Sequence, residues 1–200
     1  MPEWLNQFLL TFVPLFIVID ALGNLPIILS LSEDMMKQER RKMIHIAAGT
    51  AAGVGLAFLF FGQFILNLMG ISVGAFAIGG GLILLILSSK YILTGRMVNV
   101  VKEEMVAVVP IGTPLLVGPA TITTLLLLAG QYPIYIVLIS FVLNILIAWI
   151  LLLLGNRIAG FMGIGGLRAV SNIFNLLLAA IAVTMILRGL QMVGLIDLNI

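Results

Sequence analysis

The chain has no cysteine and a single histidine among its 200 residues. The first absence excludes a disulfide framework, thiolate metal centres and a cysteine nucleophile. The second leaves a histidine-based metal centre short of ligands, so no metal site and no cofactor is expected. Charge is scarcer than in any ordinary soluble domain: Asp, Glu, Lys and Arg make up 9% of the chain, where about 25% is usual. So few charged side chains cannot cover a water-soluble particle of this size. Hydrophobic residues fill 62% of the positions and the mean hydropathy is +1.27. Lipid is the solvent that suits such a surface. Six spans of about 20–25 residues would use about 120–150 positions, which leaves short loops and one membrane domain, 1–200. The net charge of +2 and the pI near 9.2 then reflect topology rather than a nucleic-acid partner.

Long apolar runs place the spans. The first covers Trp4–Leu31 and is interrupted by Pro14, Asp20 and Gly23-Asn24-Leu25-Pro26. A charged hairpin, Ser32–Lys42, leads to the second span, Ile44–Leu68, and Met69-Gly70 turns the chain into the third, Ile71–Leu93. The loop Thr94–Glu104 precedes the fourth span, Met105–Ala129, which is broken by Pro110, Pro114 and Gly118-Pro119. The turn Gly130–Pro133 opens the fifth, Ile134–Leu154, and a glycine-rich connector carrying Arg157 and Arg168 leads to the sixth, Ala169–Val193. The first apolar run lacks a basic flank and a small-residue cleavage pattern, so it is expected to be retained as a span. Nine of the ten basic residues fall at the first, third and fifth loops, and only Arg188 falls near the other side. This bias puts both termini outside the cytoplasm, with Trp4 and Tyr132 as outer interfacial anchors.

The two halves resemble each other at an offset of about 95 residues. Gly23-Asn24 aligns with Gly118-Pro119, Pro14 lies near the counterpart of Pro110, and Gly81–Ile86 matches Asn175–Ala180. Repeat one covers about 4–95 and repeat two about 98–193. Each repeat has one broken span followed by two continuous ones. Three is odd, so the second repeat enters the membrane from the opposite side, the plan of many secondary transporters. The expected fold is all-α: six transmembrane helices as two inverted three-helix repeats, with spans one and four discontinuous.

A helix broken in hydrocarbon strands backbone groups that cost several kcal/mol each unless protein, water or ligand satisfies them. Pro26 and Pro119 suit the start of the resuming half-helices, where a missing N–H is harmless. Gly23 and Gly118 permit a turn and a close approach to the backbone. Asn24 can cap its half-helix or meet a ligand, and Thr121 places a hydroxyl at the start of the other. Half-helix N-termini suit a carboxylate, and half-helix C-termini offer carbonyls to an ammonium group. Two crossed breaks can therefore hold a zwitterion.

Asp20 is the only acidic residue inside a span, and an ionisable group at that depth points to function. It is the candidate proton site. His45 reads as interfacial rather than catalytic. Gln63, Asn67, Asn144, Asn172 and Asn175 are the other intramembrane polar groups. Ser171, Asn172 and Asn175 share one helical face and read chiefly as interhelical hydrogen-bonding groups. Gly49, Gly53 and Gly79-Gly80-Gly81 read as close helix packing.

The stretches "PLFIVIDALGNLPIILSL" at Pro14–Leu31 and "PIGTPLLVGPATITTLLLL" at Pro110–Leu128 resemble the MarC family, and the resemblance covers essentially the whole chain. The family includes small neutral amino-acid transporters. The resemblance implies an inverted 3+3 fold in which a small amino acid such as glycine binds between the tips of spans one and four. Carried onto matching positions, it nominates Gly23, Asn24, Pro26, Gly118, Pro119 and Thr121 as substrate-binding residues. Where relatives tend to have glycine early in span six, this chain has Asn172 and Asn175.

An intramembrane enzyme would need a nucleophile–base pair or two carboxyls at depth, and Asp20 has neither partner in the sequence. A channel would normally repeat a pore element around an axis. The sequence is therefore read as a non-enzymatic, ion-coupled secondary transporter of small neutral amino acids in the inner or plasma membrane. A channel or exporter of other small solutes and a structural membrane protein are the alternatives. The expected partners are the amino acid, lipid, a coupling proton or sodium ion and, as an option, further copies of the chain.

Overall fold

The computed structural model describes residues 2–94 and 116–197. Within them every regular element is helical: α1 (Glu3–Ile19), α2 (Leu25–Leu31), α3 (Lys37–Leu68), α4 (Val73–Thr94), α5 (Pro119–Gln131), α6 (Ile134–Leu153) and α7 (Gly155–Met192). Four stretches are long and apolar enough to cross a membrane: Lys37–Leu68, Val73–Leu93, Ile134–Leu153 and Gly165–Met192. Two shorter apolar helices, Glu3–Ile19 and Pro119–Gln131, accompany them. Most of the loop expected at Thr94–Glu104, and the start of the fourth span with Pro110 and Pro114, lie outside the described residues.

Polarity is distributed as lipid demands. Phe60, Phe61, Phe64 and Leu176 point outward, whereas Thr11, Asp20, Asn24, Thr121, Ser140, Asn144, Ser171 and Asn175 are buried. An apolar exterior around a polar interior is stable only where the surrounding solvent is hydrocarbon.

Close backbone approach organises the bundle. Helices α4 and α7 pair most extensively. A β-carbon on Gly74 would sit 2.9 Å from the Gly189 carbonyl, and one on Gly81 would sit 2.8 Å from that of Ala182. The seven-residue spacing of these contacts on both helices makes a seam where any side chain would force the backbones apart. Gly55 of α3 receives the ring of Phe141 from α6. Polar groups tie α1 to α6: Thr11 and Ser140 share a hydrogen bond of 2.7 Å, and Asn144 Nδ2 donates to the Phe12 carbonyl at 3.1 Å.

Several sequence expectations need correction. The charged hairpin ends early, because α3 begins at Lys37 and Glu39 accepts the Met36 amide at 2.9 Å to cap it. The glycine-rich connector before the sixth span is helical and breaks only at Gly163 (φ 65°, ψ 175°). Gly49, Gly53 and Gly79 face outward with nothing near a would-be β-carbon, whereas Gly80 and Gly81 do pack closely. Asn172 is exposed rather than engaged between helices, and the intramembrane polar groups Gln63 and Asn67 are exposed as well. His45 is exposed and accepts the Trp149 indole N–H at 3.0 Å, an edge contact between α3 and α6.

Candidate functional site

Helix α1 ends because Asp20 turns left-handed, with φ 45° and ψ 51°. Among non-glycine residues, Asp is one of the few that adopts this region readily. Its amide still donates to the Phe16 carbonyl at 3.3 Å, while its own carbonyl accepts the Asn24 amide at 3.0 Å. Its carboxylate folds over the turn, and Oδ1 accepts the Gly23 amide at 2.9 Å. One residue thus closes α1 and caps the turn that follows. Asp20 is 1% exposed, and its Oδ2 has no hydrogen-bond partner among the described residues.

The glycine roles differ from those expected. Gly23 and Gly118 do not use a left-handed φ: Gly118 is extended (φ −83°, ψ −177°), and the positive φ of this break belongs to Asp20. Gly23 instead leaves room, since a β-carbon there would collide with the Asp20 carboxyl group. Asn24 does not cap α2 with its side chain. Its Nδ2 turns back to the Ile19 carbonyl at 3.4 Å. Pro26 occupies the second position of α2, and Pro119 the first of α5.

The second break repeats one device of the first. Thr121 Oγ1 donates to the Leu116 carbonyl at 3.2 Å. Each break therefore has a side chain, Asn24 or Thr121, reaching the carbonyl five residues back. The Ile19 carbonyl lies at the end of α1, where carbonyls lack amide partners, so the first break satisfies part of its own backbone. Less is left open for a ligand than an unwound helix alone would suggest. Gly23, Asn24 and Thr121 are buried, Pro26 and Gly118 half-buried, and Pro119 exposed.

Helix α7 completes the first break. Ser171 Oγ donates to the Gly23 carbonyl at 3.4 Å, and Asn175 Nδ2 donates to the Ser171 carbonyl at 2.7 Å. Ser171 and Asn175 are fully buried, and Asn175 Oδ1 has no partner among the described residues. The ring of Phe174 meets Phe16 at 5.9 Å beside them. The polar contact of the first break thus runs to α7 through Ser171. The sequence signal was the Ser171–Asn175 spacing of four, which marks a single helical face. Asp20 Oδ2, Asn175 Oδ1 and, between α1 and α6, Asn144 Oδ1 are buried acceptors without donors among the described residues.

The family model described as "MarC family integral membrane protein" matches residues 5–194. The UPF0056 inner membrane protein YhgN of Escherichia coli (strain K12) is 31% identical over 195 residues, covering 94% of this chain and 98% of the relative. The UPF0056 membrane protein MJ1677 of Methanocaldococcus jannaschii is 30% identical over 199 residues, covering 94% and 97%. A relative from Pyrococcus abyssi is 29% identical over 197 residues, covering 96% and 98%. No solved structure matches the chain. With helices long enough to span a bilayer, polar groups turned inward and a family match over nearly its full length, the chain belongs to the MarC family of integral membrane proteins.

Proposed function

We propose that the protein is a secondary transporter of small neutral amino acids of the glycine, alanine, serine and threonine class, with Asp20 as its coupling group. The observation that carries this reading is the first break: a fully buried carboxyl at a helix interruption, with one oxygen held by Gly23 and the other without a donor among the described residues. A buried carboxyl without a counter-charge is costly, and retaining one at a helix break is reasonable where it exchanges a proton or meets a cationic group. The substrate-binding residues are Gly23, Asn24, Pro26, Gly118, Pro119 and Thr121, with Ser171 and Asn175 added from α7.

The packing supports the inverted-repeat part of the reading. An exchange that swaps α1 and α2 with α5, α3 with α6, and α4 with α7 maps the more extensive helix pairings onto one another, while the minor α5–α6 and α6–α7 contacts have no counterpart of similar extent. The α1–α6 pair becomes α5–α3, and the α4–α5 pair becomes α7 with α1 and α2, while α4–α7, α3–α6 and α1–α5 map onto themselves. Six spans with both termini outside the cytoplasm of an inner membrane follow from the same reading, and alternating access is the motion such repeats permit. No enzymatic step is part of the proposal.

The test is a screen of the twenty amino acids against purified protein, read as a rise in thermal midpoint. A ligand at a hundred times its Kd stabilises by about 2.7 kcal/mol. Glycine, alanine, serine and threonine should stabilise and be exchanged in proteoliposomes, and phenylalanine should do neither. Equal exchange of phenylalanine and glycine, or no response to any of the twenty, would refute the reading.

A further inference from the structure

A cavity of about 180 Å³ lies between α1, α5 and α7, away from the two breaks. Pro14, Thr124, Tyr132, Thr184, Met185 and Arg188 are among its walls. Thr184 and Arg188 are four residues apart on α7 and therefore share a face. Thr124 sits about one helical turn from Thr121 of the second break. The cavity thus lies between the α5–α6 turn, where Arg188 and Tyr132 are found, and the centre of the bundle. Its volume exceeds what a single water needs and falls below the roughly 300 Å³ at which pockets for drug-sized ligands begin. It suits a small solute.

The electrostatics are one-sided. Among the described residues Arg188 is the only charged one in the lining, and no acidic side chain of theirs faces it there. Its Nη1 donates to Gln131 Oε1 at 3.3 Å, which anchors the guanidinium beside the α5–α6 turn. A guanidinium retains its charge at any physiological pH and pairs with carboxylates through two parallel N–H groups. Arg188 is also the basic residue that departs from the charge bias of the chain, so positive-inside topology does not account for it. Beside the hydroxyls of Thr124, Tyr132 and Thr184, the remaining walls, including Pro14, Met185 and Leu127, are apolar and leave space for a small side chain.

We propose that this cavity is a reception site for the carboxylate of a small amino acid, with Arg188 as its anion-binding group, occupied before the substrate reaches the breaks. It rests on the transporter reading above for its substrate class, and extends that reading to a second site. An uncompensated cation at a cavity raises the local concentration of an anionic group. The site therefore acts on the entry step from the Arg188 face and leaves the opposite face untouched.

Two readouts on the protein in vesicles of zwitterionic lipid test the site. The first is the rate at which an arginine-selective dicarbonyl reagent modifies Arg188, which needs no transport. Glycine and acetate should slow it at least threefold, and glycinamide, which has no carboxylate, should not. The second is glycine entry from each face. Arg188→Gln should raise the half-saturating concentration about tenfold at the Arg188 face alone, with the maximal rate unchanged, and Arg188→Lys should recover part of the loss. Protection by acetate in a protein that moves no amino acid would uphold the site while sinking the transporter reading. Glycine transport with no protection, or an Arg188→Gln shift equal at both faces, would overturn the site. Loss of Arg188 reactivity on adding anionic lipid, with no effect of acetate, would assign the guanidinium to a headgroup phosphate and overturn it equally.

Discussion

The Asp20 carboxyl group occupies the space that a β-carbon on Gly23 would fill, and Oδ1 accepts the Gly23 amide at 2.9 Å. Glycine at 23 is thus required by the side chain of residue 20 rather than by its own backbone angles. Gly23→Ala should push the carboxyl out of its place. Overpacking of this kind costs about 1–3 kcal/mol, and the Asp20–Gly23 hydrogen bond would go with it. The expected result is a lower thermal midpoint together with loss of glycine binding. An alanine variant with wild-type midpoint and binding would show that the carboxyl has room elsewhere and that the pairing is incidental.

A second steric dependence lies between α3 and α6. A β-carbon on Gly55 would meet the Phe141 ring, with two ring carbons at 2.8 and 2.9 Å. Gly55→Ala should lower the thermal midpoint, and Phe141→Leu in the same chain should restore part of it. Residues in direct contact couple by about 0.5–3 kcal/mol in such cycles. Strict additivity of the two midpoint shifts would mean that the α3–α6 contact is not formed as described.

The sequence locates the first break well, because an aspartate, a glycine and a proline within seven residues each disfavour a continuous helix there. It does not reveal how the break is closed. Whether Asn24 faces forward to cap α2 or back to Ile19 depends on a rotamer that spacing does not set. Glycine counts mislead in the opposite direction around 155–166, where helix persists through Gly160, Gly165 and Gly166. In hydrocarbon an unpaired backbone group costs more than the poor helix propensity of glycine, so only Gly163 yields. Asn172 and Asn175 show the resolution of face arithmetic. Residues three apart differ by about 60° around the axis, enough to leave one exposed while the other is buried.

Topology gives a third test. Reporters fused after Ile200 should be active outside the cytoplasm, and reporters inserted after Asp34 should report cytoplasm. Asp34 lies in the turn between α2 and α3, so insertion there interrupts no helix. A cytoplasmic carboxyl terminus would strand nine basic residues on the wrong side. It would remove the six-span count and with it the inverted repeat.

Asp20→Asn separates binding from coupling. The substitution keeps the size of the side chain and retains an oxygen that can accept the Gly23 amide, so the turn should survive. It replaces the second oxygen, which has no hydrogen-bond donor among the described residues, with an amide that cannot titrate. If Asp20 carries the coupling proton, the variant should bind glycine and exchange labelled for unlabelled glycine across proteoliposomes within a few-fold of wild type. It should fail to accumulate glycine when a pH gradient is imposed, because no group remains to gain a proton on one side and release it on the other. Accumulation equal to wild type would remove Asp20 from the coupling step, and a dependence on a sodium gradient instead would reassign it to that ion. Loss of exchange together with a fall in thermal midpoint would indicate that the carboxyl serves only to hold the break closed against Gly23.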